Sequence, residues 1–553
     1  MLRIAAHCFL FLALVFAAVS SNTAAVWKWS LALLASGFAA ALLHGNGKPV
    51  GLLGFAVAAF SGWLVLVNLF TSGAYNVAAS FHAAFLAAGY LVGRRAATTD
   101  LERPIVFFAA LLTGVALWQI GHGAPRAEGF FQTPATLGAV LNLALVPTLA
   151  AVLSGRRGGA RLALAILAAG TAAANSRGAW LALAAGALVT LLIARRAGER
   201  PAPRAFVLAA ALIAGGWLVA TIVPYLVEAL RTAGPTHSYS LTSSEAVLSS
   251  VGRLGLYELA VRALSPGALL SGIGYLGFFY RMEAAGQGIA TYDATNTTYF
   301  VHDDYLQILL ELGAPGLIAL LALAILPIAQ AWKASPPQRD ATAAWRIAGV
   351  CGALASMSIH ALVDFPFYIP ACLLLYGIGI AVLEAELRIG RGAGVFPWTD
   401  LRKPLWAAAI AGAVWLLIFP LGAELAANHA DRLWRAGNGE GAAYWLQVAR
   451  RLDGKDWRYH WYAGQFWYAQ ATGGRNAVAA RLAEEAFRDG HAANPHDPHC
   501  LVALVRVHRT LAPLLVRPAT REQVQAWIDE AVAISPTYEE AKKERASLAA
   551  SGR

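Results

Sequence analysis

The sequence predicts an all-α membrane protein, a polytopic helix bundle with one long loop and a C-terminal helical-repeat domain. Of the 553 residues, 58% are hydrophobic and only 14% are charged, and the mean hydropathy is +0.54. Soluble domains carry about 25% charged residues. Most of the apolar residues before residue 425 fall in runs of about 17–22, long enough for a helix to cross about 30 Å of hydrocarbon. Lipid is therefore the expected solvent for residues 1–425.

Apolar runs bounded by charged residues, Pro or Gly predict roughly 12–13 transmembrane helices in this domain. The runs are residues 4–20, 24–44, 49–70, 73–93, 104–121, 131–153, 160–175, 176–194, 205–224, 304–331, 343–363, 367–385 and 404–425. The first run follows Arg3 and is either a membrane helix or a cleaved signal peptide. A long loop, residues 225–303, separates the ninth run from the tenth.

Basic residues in the short loops predict the orientation of the bundle. If the N-terminus is cytoplasmic, 19 Lys and Arg residues lie on the cytoplasmic side, whereas the short outer loops hold only Lys28, Arg126 and Arg177. This excess is the positive-inside pattern, and it places the loop 225–303 and the C-terminal domain outside. The net charge of +11 could suggest nucleic acid, but the basic residues lie mainly in short loops between apolar segments, where they set topology. Nucleic-acid binding is therefore not expected.

Residues 426–553 are amphipathic rather than uniformly apolar and form the predicted C-terminal domain. Turn-like segments at 450–456, 492–497 and 533–536 recur with a period of about 41 residues, each after an Ala-rich or aromatic helix. The pattern is similar to tetratricopeptide-like helix pairs, although their usual period is about 34 residues. We interpret this domain either as a small helical domain without a ligand or as a docking surface for a partner or substrate.

The first candidate site residue is Arg177, in the tight turn Asn-Ser-Arg-Gly-Ala-Trp at 175–180 between two apolar runs. A guanidinium group at the outer face can hold a phosphate through two parallel hydrogen bonds. The alternative is an arginine that extends to the lipid headgroups.

The long loop contributes a second group of candidates. Arg253 begins the predicted amphipathic helix 254–264. Gly272 and Gly274 follow it and predict a tight turn whose backbone amides are exposed to an anion. A Gly-x-Gly pattern by itself is a weak signal.

The third group lies where the loop returns to the membrane, at His302, Asp303 and Asp304. Either aspartate can cap the next helix. A histidine beside that cap can act as a general base, which makes His302 the candidate base, with Asp303 or Asp304 as the residue that orients it. The alternative is an interfacial histidine with no chemical role.

The fourth candidate pair is His360 and Asp364, whose spacing of four places both on one face of a predicted helix. Two ligands do not make a zinc site, which requires three or four. We therefore interpret the pair as a structural brace before Pro366, in a position to support the site residues. No metal site is expected.

The order of these motifs is more specific than any one of them. Asn-Ser-Arg-Gly-Ala-Trp at 175–180 is followed by Gly-Arg at 252–253, Gly-Ile-Gly at 272–274 and His-Asp-Asp-Tyr-Leu-Gln at 302–307. This order resembles the bacterial O-antigen ligase and O-antigen polymerase family over roughly residues 100–385. The family commonly shows His-Asn where this chain has His302 and Asp303.

The resemblance implies a bacterial inner-membrane glycosyltransferase with a GT-C-like helical fold, and it makes the loop 225–303 and the C-terminal domain periplasmic. Such enzymes transfer a glycan from undecaprenyl diphosphate to an acceptor. Arg177 and Arg253 would then hold the diphosphate, and His302 would deprotonate the acceptor hydroxyl for an inverting attack. No cofactor is expected, because the donor carries its own leaving group. The remaining residues implied in substrate binding are Gly272, Gly274, Asp303 and Asp304.

Several alternatives stay open at the sequence level. The acceptor is a sugar of the lipid A core, another glycan repeat unit as in a polymerase, or a protein hydroxyl as in an O-oligosaccharyltransferase. The C-terminal domain favours a protein or a polymer. A transporter or flippase would also be polytopic, but its ionisable residues usually lie at the midplane within paired repeats. A scaffold without catalysis would leave the arginines and His302 unexplained.

Overall fold

The described part of the chain is almost entirely helical. The computed structural model describes residues 2–19, 26–43, 51–71, 76–96, 98–131, 133–156, 158–230, 244–286, 299–334, 340–388, 415 and 418–550. Within these ranges there are α-helices, short 3-10 helices and loops, and no β-strand. The all-α class predicted from the sequence is confirmed.

Nine helices of the described chain precede the long loop. They are α1 (Leu2–Val19), α2 (Val26–Leu42), α3 (Leu52–Phe70), α4 (Asn76–Arg95), α5 (Thr98–Gly121), α6 (Pro134–Leu153), α7 (Gly159–Ala174), α8 (Arg177–Arg196) and α9 (Pro203–Leu230). Because α9 continues to Leu230, the loop starts a few residues later than the predicted residue 225.

The long loop contains helices of its own, α10 (Ser244–Ala263), α11 (Pro266–Ser271) and α12 (Phe278–Ala285). Residues 231–243 and 287–298 of the predicted loop lie outside the described ranges. The chain then forms α13 (Asp304–Lys333), α14 (Ala341–His360), a 3-10 turn (Pro366–Tyr368) and α15 (Pro370–Arg388).

Eight helices of the described chain are long and apolar enough to span a membrane: α1, α5, α6, α8, α9, α13, α14 and α15. This is a polytopic helical membrane protein. Three other predicted spans, in α2, α3 and α7, are apolar but shorter, and the predicted run 73–93 forms α4, which is not among the eight. At 1.5 Å per residue, the 16 residues of α7 extend about 24 Å, less than the roughly 30 Å of a hydrocarbon core. The thirteenth predicted run, 404–425, lies mostly outside the described residues.

Glycines allow a close helix contact in the bundle, between α4 and α15. A Cβ atom on Gly89 would lie 2.1 Å from the carbonyl oxygen of Leu374, and one on Gly377 would lie 2.3 Å from the carbonyl oxygen of Leu86. Small residues permit this approach of two backbones, on which helix association within lipid depends. The contact holds α15, and with it the turn before α15, against the N-terminal half of the bundle.

A bend near the start of α13 receives the loop. Gly313 has φ +70°, and its backbone approaches that of Leu270 and Gly272. Two residues before the bend, the buried carboxylate of Glu311 accepts hydrogen bonds from the amides of Leu276 (2.8 Å) and Phe278 (3.3 Å). The loop segment after α11 is thereby tied to the helix that follows the loop.

Tyr368 and Gln307 complete the shell of hydrogen bonds around Glu311. The hydroxyl of Tyr368 donates at 2.6 Å and the side-chain amide of Gln307 at 3.0 Å. A buried carboxylate that lacked such donors would be costly, so these bonds make the segment a firm attachment between loop and bundle.

The C-terminal part is a succession of helices with the turns where the repeat pattern predicts them. The helices are α16 (Pro420–Arg435), α17 (Gly439–Leu452), α18 (Trp457–Gly474), α19 (Ala477–Ala493), α20 (His499–Thr510), α21 (Arg521–Ile534) and α22 (Glu539–Ala550). The boundary predicted at residue 425 falls inside α16. Gly464 allows α18 to lie against Phe487 of α19, where a Cβ would be 2.4 Å from the ring. Nη2 of Arg281 in α12 lies 3.0 Å from Nε2 of His496, so the long loop contacts this domain.

We expect Gly89→Ala to lower the thermal unfolding midpoint of the detergent-solubilised protein by several degrees, because the new methyl group overlaps the α15 backbone. Gly62→Ala in α3 is the matched control, since a Cβ there meets nothing within 4 Å. Alanine is also the better helix former by about 1 kcal/mol, so the control should be unchanged or more stable. Equal midpoints for the two variants would contradict the proposed backbone contact.

Candidate active site

His302 lies in a sharp turn at the start of α13. Its backbone has φ +62°, a left-handed conformation that histidine adopts more readily than most residues but that still costs about 1 kcal/mol. The hydroxyl of Tyr257 on α10 donates to the carbonyl oxygen of His302 at 3.1 Å. The loop helix therefore holds the turn in which the candidate base lies.

Asp303 is the N-cap of α13, as the sequence predicted for one of the two aspartates. Its carboxylate accepts from the amides of Tyr305 (2.9 Å) and Leu306 (3.1 Å). Burial raises the pKa of Asp303, and these two amides oppose the rise. Its carboxylate accepts hydrogen bonds from the helix end, and a different residue lies against the imidazole of His302.

That residue is Asp364, from the turn after α14. Nδ1 of His302 lies 3.1 Å from Oδ1 of Asp364, with the side chains 22% and 2% exposed respectively. The ring of His302 also packs edge-on against Phe365, with the ring centroids 5.0 Å apart. When Nδ1–H donates to the carboxylate, Nε2 carries the lone pair of the neutral imidazole. This arrangement is suited to a general base with an orienting carboxylate.

Asp304 connects the start of α13 to the turn that contains Asp364. Its backbone amide donates to the carbonyl oxygen of Ala361 at 2.8 Å, and its buried carboxylate accepts from the amide of Phe367 at 2.8 Å. These two bonds join the first residue of α13 to both sides of Asp364. Asp304 thus connects the start of α13 to this turn.

Arg253 reaches the same turn from α10. Its Nη1 donates to the carbonyl oxygen of Val363 at 2.9 Å, one residue before Asp364. Burial raises the pKa of Tyr257, and the charges of Asp303 and Asp364 add to the rise while that of Arg253 opposes it. The guanidinium and the two carboxylates are therefore near the same hydroxyl. The sequence predicted that Arg253 begins this helix. Since α10 begins at Ser244, Arg253 instead lies within it.

Arg177 occupies the first position of α8 and is exposed. The left-handed Asn175, with φ +44°, ends α7, and Ser176 caps α8 by accepting from the amide of Ala179. Asn142 of α6 donates to the carbonyl oxygen of Ala179 at 2.8 Å. The predicted tight turn is confirmed, and it fixes the backbone that carries Arg177.

Gly178 brings this turn against the turn that contains Asp364. A Cβ on Gly178 would lie 3.2 Å from Nε2 of His360 and 3.1 Å from Cγ2 of Val363. The residue after Arg177 therefore packs directly beneath the segment whose carbonyl Arg253 binds. Four segments distant in sequence meet here: the start of α8, the middle of α10, the start of α13 and the end of α14.

Gly272 and Gly274 have a different use from the one the sequence suggested. The amide of Gly272 donates to Ala268 and that of Gly274 donates to Glu311, so neither is presented to an anion. Both glycines have positive φ, and a Cβ on Gly272 would lie 2.1 Å from the carbonyl oxygen of Glu311. The pair lets the loop backbone lie against the bend in α13.

The expected helical pair of His360 and Asp364 also needs correction. Because α14 ends at His360, the two do not share a helix face, and the distance from His360 Nε2 to Asp364 Oδ2 is 3.8 Å. Neither ring nitrogen of the buried His360 has a hydrogen-bond partner in the part of the chain that the structure describes. Asp364 makes its shorter contact with His302, a pairing across 62 residues that no local pattern could indicate.

Comparison with protein families gives a match that covers part of this site. Residues 162–321 match the family model described as O-antigen ligase. Over these residues the chain is similar to the O-antigen ligase family. The O-antigen ligase region contains Arg177, Arg253 and His302, and it ends before His360 and Asp364. No curated protein matches the chain significantly.

We expect Asp364→Asn to reduce the catalytic rate by about 10²–10⁴-fold with the protein still folded, because an amide can no longer select the reactive tautomer of His302. Asp303→Asn is the matched control, since asparagine caps helices as well as aspartate does. The rate of glycan transfer by each purified variant is the measurement. A large loss in Asp303→Asn together with full activity in Asp364→Asn would contradict the assignment of Asp364.

Proposed function

We propose that the protein transfers a glycan from undecaprenyl diphosphate to an acceptor hydroxyl at the membrane surface. The contact between His302 and Asp364 carries the proposal, because a partly exposed imidazole with a buried carboxylate on Nδ1 is suited to remove a proton from a hydroxyl group. The match of residues 162–321 to the O-antigen ligase family supports the class of reaction.

In the proposed reaction, Nε2 of His302 takes the proton of the acceptor hydroxyl as its oxygen attacks the anomeric carbon. The bond from that carbon to the diphosphate breaks, and undecaprenyl diphosphate leaves with the bonding electrons. Attack opposite the leaving group inverts the anomeric configuration. His302 remains positioned while its charge changes, since Asp364 stabilises the imidazolium that forms.

Arg177 and Arg253 are the proposed ligands of the diphosphate. Charge develops on the leaving group as the bond breaks, and fixed guanidinium groups stabilise it more in the transition state than in the ground state. Arg253 is anchored to Val363 at 2.9 Å and is less exposed than Arg177. Arg177 extends from a turn that packs on the same segment through Gly178.

The proposed orientation is that of a bacterial inner-membrane protein with this site on the periplasmic side. The basic residues of the sequence support it through the positive-inside rule. The C-terminal helices would then be periplasmic, and the contact between Arg281 and His496 joins them to the loop that carries Arg253. A domain in that position favours a polymeric glycan or a protein as acceptor over a lipid A core sugar alone.

We expect Arg253→Ala to reduce transfer by at least about 10²-fold, because removing one fixed donor from a developing negative charge costs about that much. Arg262→Ala is the matched control on the same helix, where the arginine pairs with Glu258 in an exposed ion pair of little energetic value. Equal activities of the two variants would overturn the role of Arg253.

A second comparison tests the base. His302→Ala should abolish transfer at neutral pH without changing the amount of folded protein in the membrane.

Reconstitution with a labelled undecaprenyl-diphosphate glycan and, in turn, a protein, a lipid A core and a second lipid-linked glycan would identify the acceptor by the product that carries the label. Movement of the donor across the membrane without a covalent product would contradict the proposed transfer and favour transport.

A further inference from the structure

A separate apolar cavity lies between α5, α6, α7, α14 and α15. Its volume is about 530 Å³, within the 300–1,000 Å³ of most small-molecule sites. The hydroxyl of Thr148, which lines it, donates to the carbonyl oxygen of Ala144 at 2.7 Å, so this polar group of the wall is already satisfied. Phe107 and Leu162 also line the cavity and are 69% and 65% exposed. The cavity therefore opens at an apolar surface of the kind that lipid covers.

Charged residues line this cavity at one end of the bundle. Arg156 donates to both carboxylate oxygens of Glu102 at 3.1 Å, and the exposed Arg103 adds a second cation beside them. The three side chains have a net charge of +1. An apolar cavity with a cationic rim fits an amphiphile that has a hydrocarbon chain and an anionic headgroup.

The cavity is distinct from the candidate active site. Its lining residues on α7 lie within the first nine residues of that helix, whereas Arg177 follows the end of α7. Since α7 extends about 24 Å, the rim at Arg156 and the site at His302 are at opposite ends of the bundle. A carrier lipid whose diphosphate is bound by Arg177 and Arg253 would not place a phosphate at Arg103.

We infer that this cavity binds an anionic phospholipid, with the phosphodiester at Arg103 and an acyl chain between α5 and α7. Basic pockets between transmembrane helices on the cytoplasmic side bind anionic lipid headgroups, and the predicted orientation places Arg103 and Arg156 on that side. A chain in the cavity would fill a space that α5, α6 and α7 leave unpacked and would hold those three helices together.

Thermal unfolding in detergent with added lipid tests the inference. Phosphatidylglycerol and phosphatidylcholine with identical acyl chains are added to wild type, Arg103→Gln and Arg195→Gln, and bound lipid is counted by native mass spectrometry. Arg195 is the matched control, because it is exposed, lies at the same end of the bundle and does not line the cavity. We expect phosphatidylglycerol to raise the midpoint of wild type and Arg195→Gln by several degrees, and of Arg103→Gln by less than half as much.

A variant that fills the cavity provides a second test. Ala163→Leu narrows the cavity from α7 and should reduce the count of tightly bound phosphatidylglycerol while Arg103 is still present. The inference is overturned if Arg103→Gln keeps the full shift, if phosphatidylcholine is equally effective, or if the lipid retained in wild type is a polyprenyl phosphate. Because transfer activity is not the readout, a failure here leaves the proposed function unaffected.

Discussion

The candidate site depends on the two hydrogen bonds by which Asp304 joins the start of α13 to the turn after α14. The amide donates to Ala361 and the carboxylate accepts from Phe367, so the turn is held on both sides of Asp364. Backbone groups near the membrane interior need protein partners, because lipid provides none. The same bonds that satisfy this requirement align Asp364 with the imidazole of His302.

The long loop packs against the helix bundle and forms part of it. Glu311, buried in α13, binds the amides of Leu276 and Phe278, and Gly272 lets the loop backbone reach that helix. The loop thereby brings Arg253 to the carbonyl of Val363 and Tyr257 to the carbonyl of His302. Through these contacts a helix outside the membrane-spanning set positions both the proposed base and the proposed anion ligand.

Much of this organisation follows from local patterns. Apolar runs predicted most helices, since a spanning helix must satisfy its own backbone and cover itself with apolar side chains. The turn at Asn175 and Ser176 and an N-cap at Asp303 or Asp304 were also readable, because turn and capping positions select particular residue types. The structural role of Gly272 and Gly274 could not be read from the sequence. A glycine signals an unusual backbone or a close approach, but sequence alone does not say whether a ligand or another helix approaches.

By itself the sequence determined that the chain is a polytopic helical membrane protein, and its ordered motifs indicated Arg177, Arg253 and His302 as site residues. Every membrane-spanning helix must be long enough to cross the hydrocarbon core and must be predominantly apolar. Both properties can be recognised in a single sequence. Only the tertiary structure decided which carboxylate lies against the imidazole of His302. Asp303 is adjacent in sequence but its carboxylate is used by the helix end, whereas Asp364 is 62 residues away and is brought to the imidazole by the packing of α13 against α14.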